Sequence, residues 1–329
     1  MDLEWGQPIR GITRQAWQEF VQSQGLEPDD GGGFTVLLME QGRILACGSR
    51  DGNLLKCLCV DPQHQGEGLT GTLMTQLREN AFQAGIGHLF LYTKPKNGHL
   101  FAPFLFYPVA QTADVLLMES MQGGARIFAE SLVAPRKRGR IGAIVMHADP
   151  FTKGHRYLVE QAAKACKFLH VLVVSENRGR FSADEREEMV TQGCQDLKNV
   201  LVQPAGPYLV SAATFPTYFL KEGEQIPKVH CKLDIETFCK YYVPALHIGT
   251  RFVGTEPEDP VTAVYNKTLQ EALPARGVQV QEVPRLLGPD GLPISARRVR
   301  ALLGTGQPAL LRELVPETTY AFLEKQHLL

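Results

Sequence analysis

The residues best suited to chemistry are Asp149-Pro150-Phe151-Thr152-Lys153-Gly154-His155, set between the apolar run IGAIVM (141–146) and a helical pattern. A strand that ends in a proline turn presents its loop at the C-terminal edge of a sheet, where open α/β folds bind ligands. Gly154 lets the backbone approach a phosphate with no Cβ in the way. His155 falls at or just inside a helix N-terminus, where free N–H groups and the helix dipole favour anions. A histidine there can donate to a phosphate oxygen as negative charge builds on it. Taken alone, the pattern is also that of a strand-turn-helix with a capping threonine.

Two further segments have the same character. Ile294-Ser295-Ala296-Arg297-Arg298-Val299-Arg300 follows the turn Gly288-Pro289-Asp290-Gly291 and opens a helix over 296–303. A serine at a helix start with arginines on the first turns is a second phosphate grip; a solvated basic face is the plainer alternative. Gln63, Gly66 and Gly68 form Q-x-x-G-x-G between a strand and an amphipathic helix. Successive N–H groups from such a turn, ending on a helix N-terminus, can cradle a pyrophosphate. Ser182 and Glu185 have the spacing of a capping box, with Arg186 beside them able to turn inward.

The elements that position these loops follow from hydrophobic periodicity. Strands are expected over 34–40, 43–49, 54–60, 88–93 and 113–120, with a helix over 69–84 that brings Leu69, Leu73, Leu77 and Ala81 onto one face. After the basic, Pro- and Gly-containing stretch 134–140, strand and helix alternate: strand 141–146, helix 155–167, strand 168–174, helix 183–193, strand 199–203, and a later strand within 246–254. That alternation with short loops argues a parallel sheet with right-handed crossovers. The expected division is a domain over 1–125, a linker over 126–140 and a second domain over 141–329.

The chain has 329 residues, 44% hydrophobic and 21% charged, with a formal net charge of −1. No global field draws it to nucleic acid or membrane, no apolar run reaches the ~18 residues of a spanning helix, and the N-terminus lacks the order of a signal peptide. The seven cysteines are odd in number and irregularly spaced. They read as reduced packing residues in a cytoplasmic protein rather than as disulfides or metal ligands.

D-P-x-T-x-G-H followed far downstream by I-S-x-x-x-x-R resembles the paired signature of the HxGH nucleotidyltransferases; phosphopantetheine adenylyltransferase has the same threonine. The wider stretches, Met146 to Leu158, Phe215-Pro216-Thr217-Tyr218-Phe219-Leu220-Lys221, Arg251-Phe252-Val253-Gly254-Thr255-Glu256-Pro257 and Tyr265-Asn266, look like the citrate lyase ligases over nearly all of 141–329. The Q-x-x-G-x-G loop in its strand–helix setting resembles the pyrophosphate loop of GNAT acetyltransferases over about 1–122.

These resemblances imply an α+β GNAT-like domain followed by a Rossmann-like nucleotidyltransferase domain. The implied reaction joins ATP, acetate and the thiol form of the citrate lyase acyl carrier subunit, giving the acetyl carrier, AMP and pyrophosphate, with Mg²⁺ brought by the nucleotide. Carried over by motif position, Thr152 and His155 contact the α- and β-phosphates, with Gly154 and Asp149 in the same loop. Ser295, Arg298 and Arg300 hold the β/γ end. Gly254, Glu256 and Asn266 line the nucleotide side, and Lys221 is a candidate clamp for acetate or phosphate. Asp149 either helps to hold Mg²⁺ or caps its turn, and the cap is favoured. Gln63, Gly66 and Gly68 are expected to cradle the dephospho-CoA-derived arm of the carrier. The other readings are a plain adenylyltransferase acting on a phosphorylated acceptor, an acetyl-CoA-dependent acetyltransferase working through the first domain, and a binding protein with two inactive domains.

Overall fold

The computed structural model describes residues 2–28, 33–135, 139–176, 179–209, 226–256 and 259–329, and the chain divides into two compact units. In the first unit, β1 (Asp2–Gly6) leads to α1 (Gly11–Ser23), which buries Trp17 and Val21. The antiparallel run β2 (Phe34–Glu40), β3 (Arg43–Asp51) and β4 (Leu54–Val60) follows. α2 (Leu69–Gln83) then buries Leu69, Leu73, Leu77 and Ala81, the residues its period selects. β5 (Phe90–Thr93), β6 (Tyr107–Gln111) and β7 (Leu116–Glu119) complete a sheet of order β1-β2-β3-β4-β5-β7-β6. Among its described pairs only β4 and β5 are parallel, and they are joined just at Leu54–Phe90 and Leu55–Leu91, so the two strands part towards their C-terminal ends. β6 was not foreseen. Pro108 sits in it, which an edge strand tolerates because no ladder N–H is needed on the outer side.

The second unit opens with α3 (Gly124–Ser131), which buries Ala125 and Ala129. The stretch expected to be a linker therefore begins as packed helix; its small apolar residues at i and i+4 find a partner surface that composition alone does not reveal. The parallel framework comes next: β8 (Ile141–Met146), α4 (Lys153–Ala165), β9 (Phe168–Val173), α5 (Ala183–Cys194) and β10 (Val200–Pro204). α6 (Ile226–Thr237), one wide π-type turn over Phe238–Tyr242 and α7 (Val243–Leu246) lead into β11 (Thr250–Gly254). The strand expected within 246–254 starts late because Leu246 closes a helix and His247 takes the left-handed conformation (φ 57°) that ends it. α8 (Pro260–Ala272), β12 (Gln279–Val283), α9 (Ala296–Leu302), α10 (Pro308–Leu314) and α11 (Glu317–Lys325) finish the chain.

The sheet order is β10-β9-β8-β11-β12, all parallel. The first strand lies in the middle, and the order reverses between β8 and β11, so the crevice beyond the C-terminal ends of those two strands is where such a sheet binds ligands. Ile144, Leu169, Val171, Val159 and Phe252 are buried in a core between this sheet and its helices.

Candidate active site

A cavity of about 420 Å³ opens at that reversal point. Its wall brings together the ends of β8 and β11, the start of α4, the segment after β12, and the start of α9. His155 and Gly154 thus meet Ser295 and Arg300 across about 140 residues of sequence. The contact is close: a Cβ at Gly154 would lie 2.7 Å from the carbonyl oxygen of Ile294. Gly154 is therefore required by the close approach of the second motif.

The turn before α4 carries a cis peptide at Asp149-Pro150 and a left-handed Ala148 (φ 51°). Thr152 caps α4, its hydroxyl accepting from the N–H of His155 at 3.2 Å. The Thr152 backbone N–H in turn donates to His155 Nδ1 at 3.1 Å. Nδ1 is thereby an acceptor, and the neutral ring carries its proton on Nε2. Burial pushes the His155 pKa down to about 4, and the charges of Arg285, His147 and Arg300 act in the same direction. The histidine is thus a neutral N–H donor at physiological pH. Thr152 itself is 1% exposed and lies outside the cavity wall, so in this structure its contacts are to His155.

Asp149 takes the capping role that its place in the turn favoured. Its two carboxylate oxygens accept from the backbone N–H groups of Arg180 and Phe181, each at 3.0 Å, which ties the loop before α5 to the motif. Both oxygens are thus held by backbone, and the capping reading fits them while the Mg²⁺ reading does not. Arg300 donates to the Asp149 carbonyl oxygen and lies 3.5 Å from its carboxylate, locking the two motifs together. Arg298 is turned away: it pairs with Asp290 and donates to the carbonyls of Leu292 and Pro293, bracing the preceding turn instead of the cavity. Arg297 is exposed and outside the cavity wall.

On the β11 side, Gly254, Glu256 and Asn266 line the cavity as expected. A Cβ at Gly254 would meet nothing within 4 Å, so packing does not explain that glycine. Asn266 Nδ2 donates to the Gly254 carbonyl at 2.8 Å. Glu256 pairs with Arg285 and accepts from the Asp259 N–H at 3.1 Å, which fixes the loop after β11. Lys221, and with it the stretch 215–221, lies outside the described residues. Among the described residues no group of three His, Cys, Asp or Glu side chains is arranged to hold a metal ion.

Sequence reasoning gave no role to Arg285 and Arg251, which both line the cavity, Arg251 within β11 and Arg285 two residues past the end of β12. The capping box at Ser182 and Glu185 forms. Arg186 does turn inward, fully buried, donating to the carbonyls of His147, Val174, Glu176 and Phe181. It staples the ends of β8 and β9 to the start of α5. In the first unit, Gly66 (φ 90°) and Gly68 (φ 80°) adopt left-handed conformations ahead of α2, and Gln63 is exposed beside them. Between His64 and Gly71 no backbone N–H is paired with a backbone carbonyl among the described residues, which leaves a row of donors at the helix start.

Fold and site together define an enzyme with a nucleotidyltransferase-like parallel-sheet domain joined to a GNAT-like domain. Residues 141–323 match the citrate lyase ligase C-terminal domain, and residues 2–101 match the acetyltransferase (GNAT) family. The chain is 40% identical over 316 residues to the citrate (pro-3S)-lyase ligase of Klebsiella pneumoniae, covering 94% of this chain and 92% of that one. It is 36% identical over 313 residues to the same enzyme of Escherichia coli K12, covering 93% and 89%. A 57-residue stretch is 46% identical to phosphopantetheine adenylyltransferase of Clostridium botulinum strain 657, covering 17% of this chain and 35% of that one. The chain belongs to the citrate lyase ligase family. No helix among the described residues is long and apolar enough to cross a membrane.

Proposed function

We propose that this chain activates acetate with ATP and passes the acetyl group to the thiol of the citrate lyase acyl carrier subunit. In the first step a carboxylate oxygen attacks the α-phosphorus in line, the bond to the β-phosphate oxygen breaks, and pyrophosphate leaves, giving acetyl-adenylate. In the second step the carrier thiolate attacks the acyl carbon and AMP departs, the thiol proton passing to solvent. The protein's contribution is positioning and charge stabilisation. His155, as a neutral Nε2–H donor, faces the phosphates. Arg300, Arg285 and Ser295 surround the leaving end, and Gly254 leaves room on the nucleotide side. Mg²⁺ brought with the nucleotide would supply charge neutralisation at the departing phosphates.

The observation that carries this reading is the meeting of the Thr152–His155 turn with Ser295 and Arg300 on one cavity at the strand-order reversal, in a chain of this family. In the first unit, the left-handed glycines and the unpaired N–H row after His64 support a cradle for the pyrophosphate of the carrier's arm. The test is pyrophosphate release from ATP and Mg²⁺, with and without acetate and thiol-form carrier. Release that requires acetate and is multiplied by carrier is expected. Release that ignores acetate and needs a phosphorylated acceptor would replace this reading with a plain adenylyltransferase.

A further inference from the structure

Arg251 is the second of the five residues of β11 and is only 3% exposed, yet it forms part of the wall of the cavity. Its guanidinium lies over the ring of Phe238, 4.6 Å from the centroid, and its Nε has no hydrogen-bond partner. No Asp or Glu among the described residues forms an ion pair with it. Asp234 is the nearby acid whose charge, like that of Arg251, acts on Tyr265, but its carboxylate accepts the Tyr265 hydroxyl. A buried cation that no carboxylate pairs is costly, and an anion entering the cavity would complete it.

The position says which ligand. The cations that suit a triphosphate stand beyond the strand ends, Arg285 on the segment after β12 and Arg300 on α9. Arg251 precedes the strand's last residue, Gly254, by three positions, so its Cα lies roughly 10 Å further down the sheet. Strand alternation places Val253 on the same face of β11 as Arg251. Val145, on the neighbouring β8, is also in the cavity wall and partly open to it. A cation beside two valines suits a small molecule with one carboxylate and a short apolar tail, and is too apolar for a second phosphate.

We propose that Arg251 binds the carboxylate of the short-chain acid substrate, holding one oxygen while the other attacks the α-phosphorus. The proposal rests on the ligase reading above. It makes Arg251 a substrate-binding residue and the neighbouring valines the surface that meets the acyl tail.

The test is acetate-dependent exchange of labelled pyrophosphate into ATP, with wild type, Arg251→Met and Arg251→Lys. Methionine keeps an apolar stem over Phe238 and removes the charge. The KM for acetate should rise roughly 10- to 100-fold, the worth of one charge-assisted hydrogen bond. The KM for ATP should stay within about twofold. Lysine should recover part of the loss. The thermal midpoint of Arg251→Met should fall little, because the removed charge pairs with no carboxylate and methionine keeps the packing over Phe238. A raised KM for ATP with an unchanged KM for acetate would overturn the proposal, as would an equal loss for both variants without any change in acetate KM. If Arg251→Met does not fold, Arg251→Lys decides alone: an acetate KM equal to that of wild type, with ATP affected instead, overturns it. Wild type lacking any acetate-dependent exchange would remove the ligase reading itself, and this assignment with it.

Discussion

Replacing His155 by alanine probes the link between local geometry and chemistry most directly. The Thr152 N–H donates to Nδ1 at 3.1 Å, so the proton sits on Nε2 and the side chain is a fixed, neutral donor. A preorganised donor aimed at developing negative charge is worth about 2.7–4 kcal/mol, so kcat for acetate-dependent pyrophosphate exchange should fall roughly 100- to 1000-fold. The KM for ATP should change little, because the contact strengthens only as charge builds on the phosphates. Losing the reciprocal cap should lower stability by about 1 kcal/mol, too little to explain such a drop. The pH profile gives a second check. With the folded pKa near 4 against an ordinary 6.5, the unfolded chain binds the proton more readily. Stability from this group is therefore complete above about 6.5 and lost as pH falls from there towards 4. Wild-type kcat should show no inflection from this residue between pH 6 and 9. Retention of activity within about threefold in the alanine variant, or a wild-type rate that tracks a histidine titrating near 6.5, would refute the reasoning.

Arg186→Leu should destabilise the protein by about 3–5 kcal/mol in urea unfolding, because four carbonyls from three segments lose a buried charged donor together. Asp149→Asn should cost about 1–3 kcal/mol, since one amide group cannot accept from both Arg180 and Phe181; the Mg²⁺ concentration giving half-maximal rate should not move, and a large shift there would restore a metal-binding role. Arg300→Ala should raise the KM for ATP about tenfold or more, while Arg298→Ala, which removes only a brace on the turn at Asp290, should leave it within about threefold.

Much of the framework was legible because each element carries its own local signal. The run 141–146, the 3.6-residue period of α2, the capping serine of α5 and the glycines at 66 and 68 report backbone preferences that neighbours in sequence enforce. What escaped were elements whose signal is weak until something packs on them. β6 carries a proline that only an edge position permits. α3 shows two buried alanines in a stretch that reads as linker, and the start of β11 was hidden by an apolar residue that in fact closes a helix.

The sequence by itself determined the two motifs, the caps and turns beside them and the alternation of strand and helix that makes a parallel sheet, because turns, caps and periodicity act over a few residues. Only the tertiary structure decided what each motif residue faces. Thr152 serves His155, Asp149 accepts two backbone N–H groups from residues 180 and 181, and Arg298 turns back to Asp290. Arg251 and Arg285, to which the motifs gave no role, are brought to the cavity wall. The physical reason is that a charge or a donor is defined by its partners, which here lie from three residues away, as for Thr152 and His155, to 151 residues away, as for Arg300 and Asp149, and a sequence pattern does not say which of them a side chain will meet.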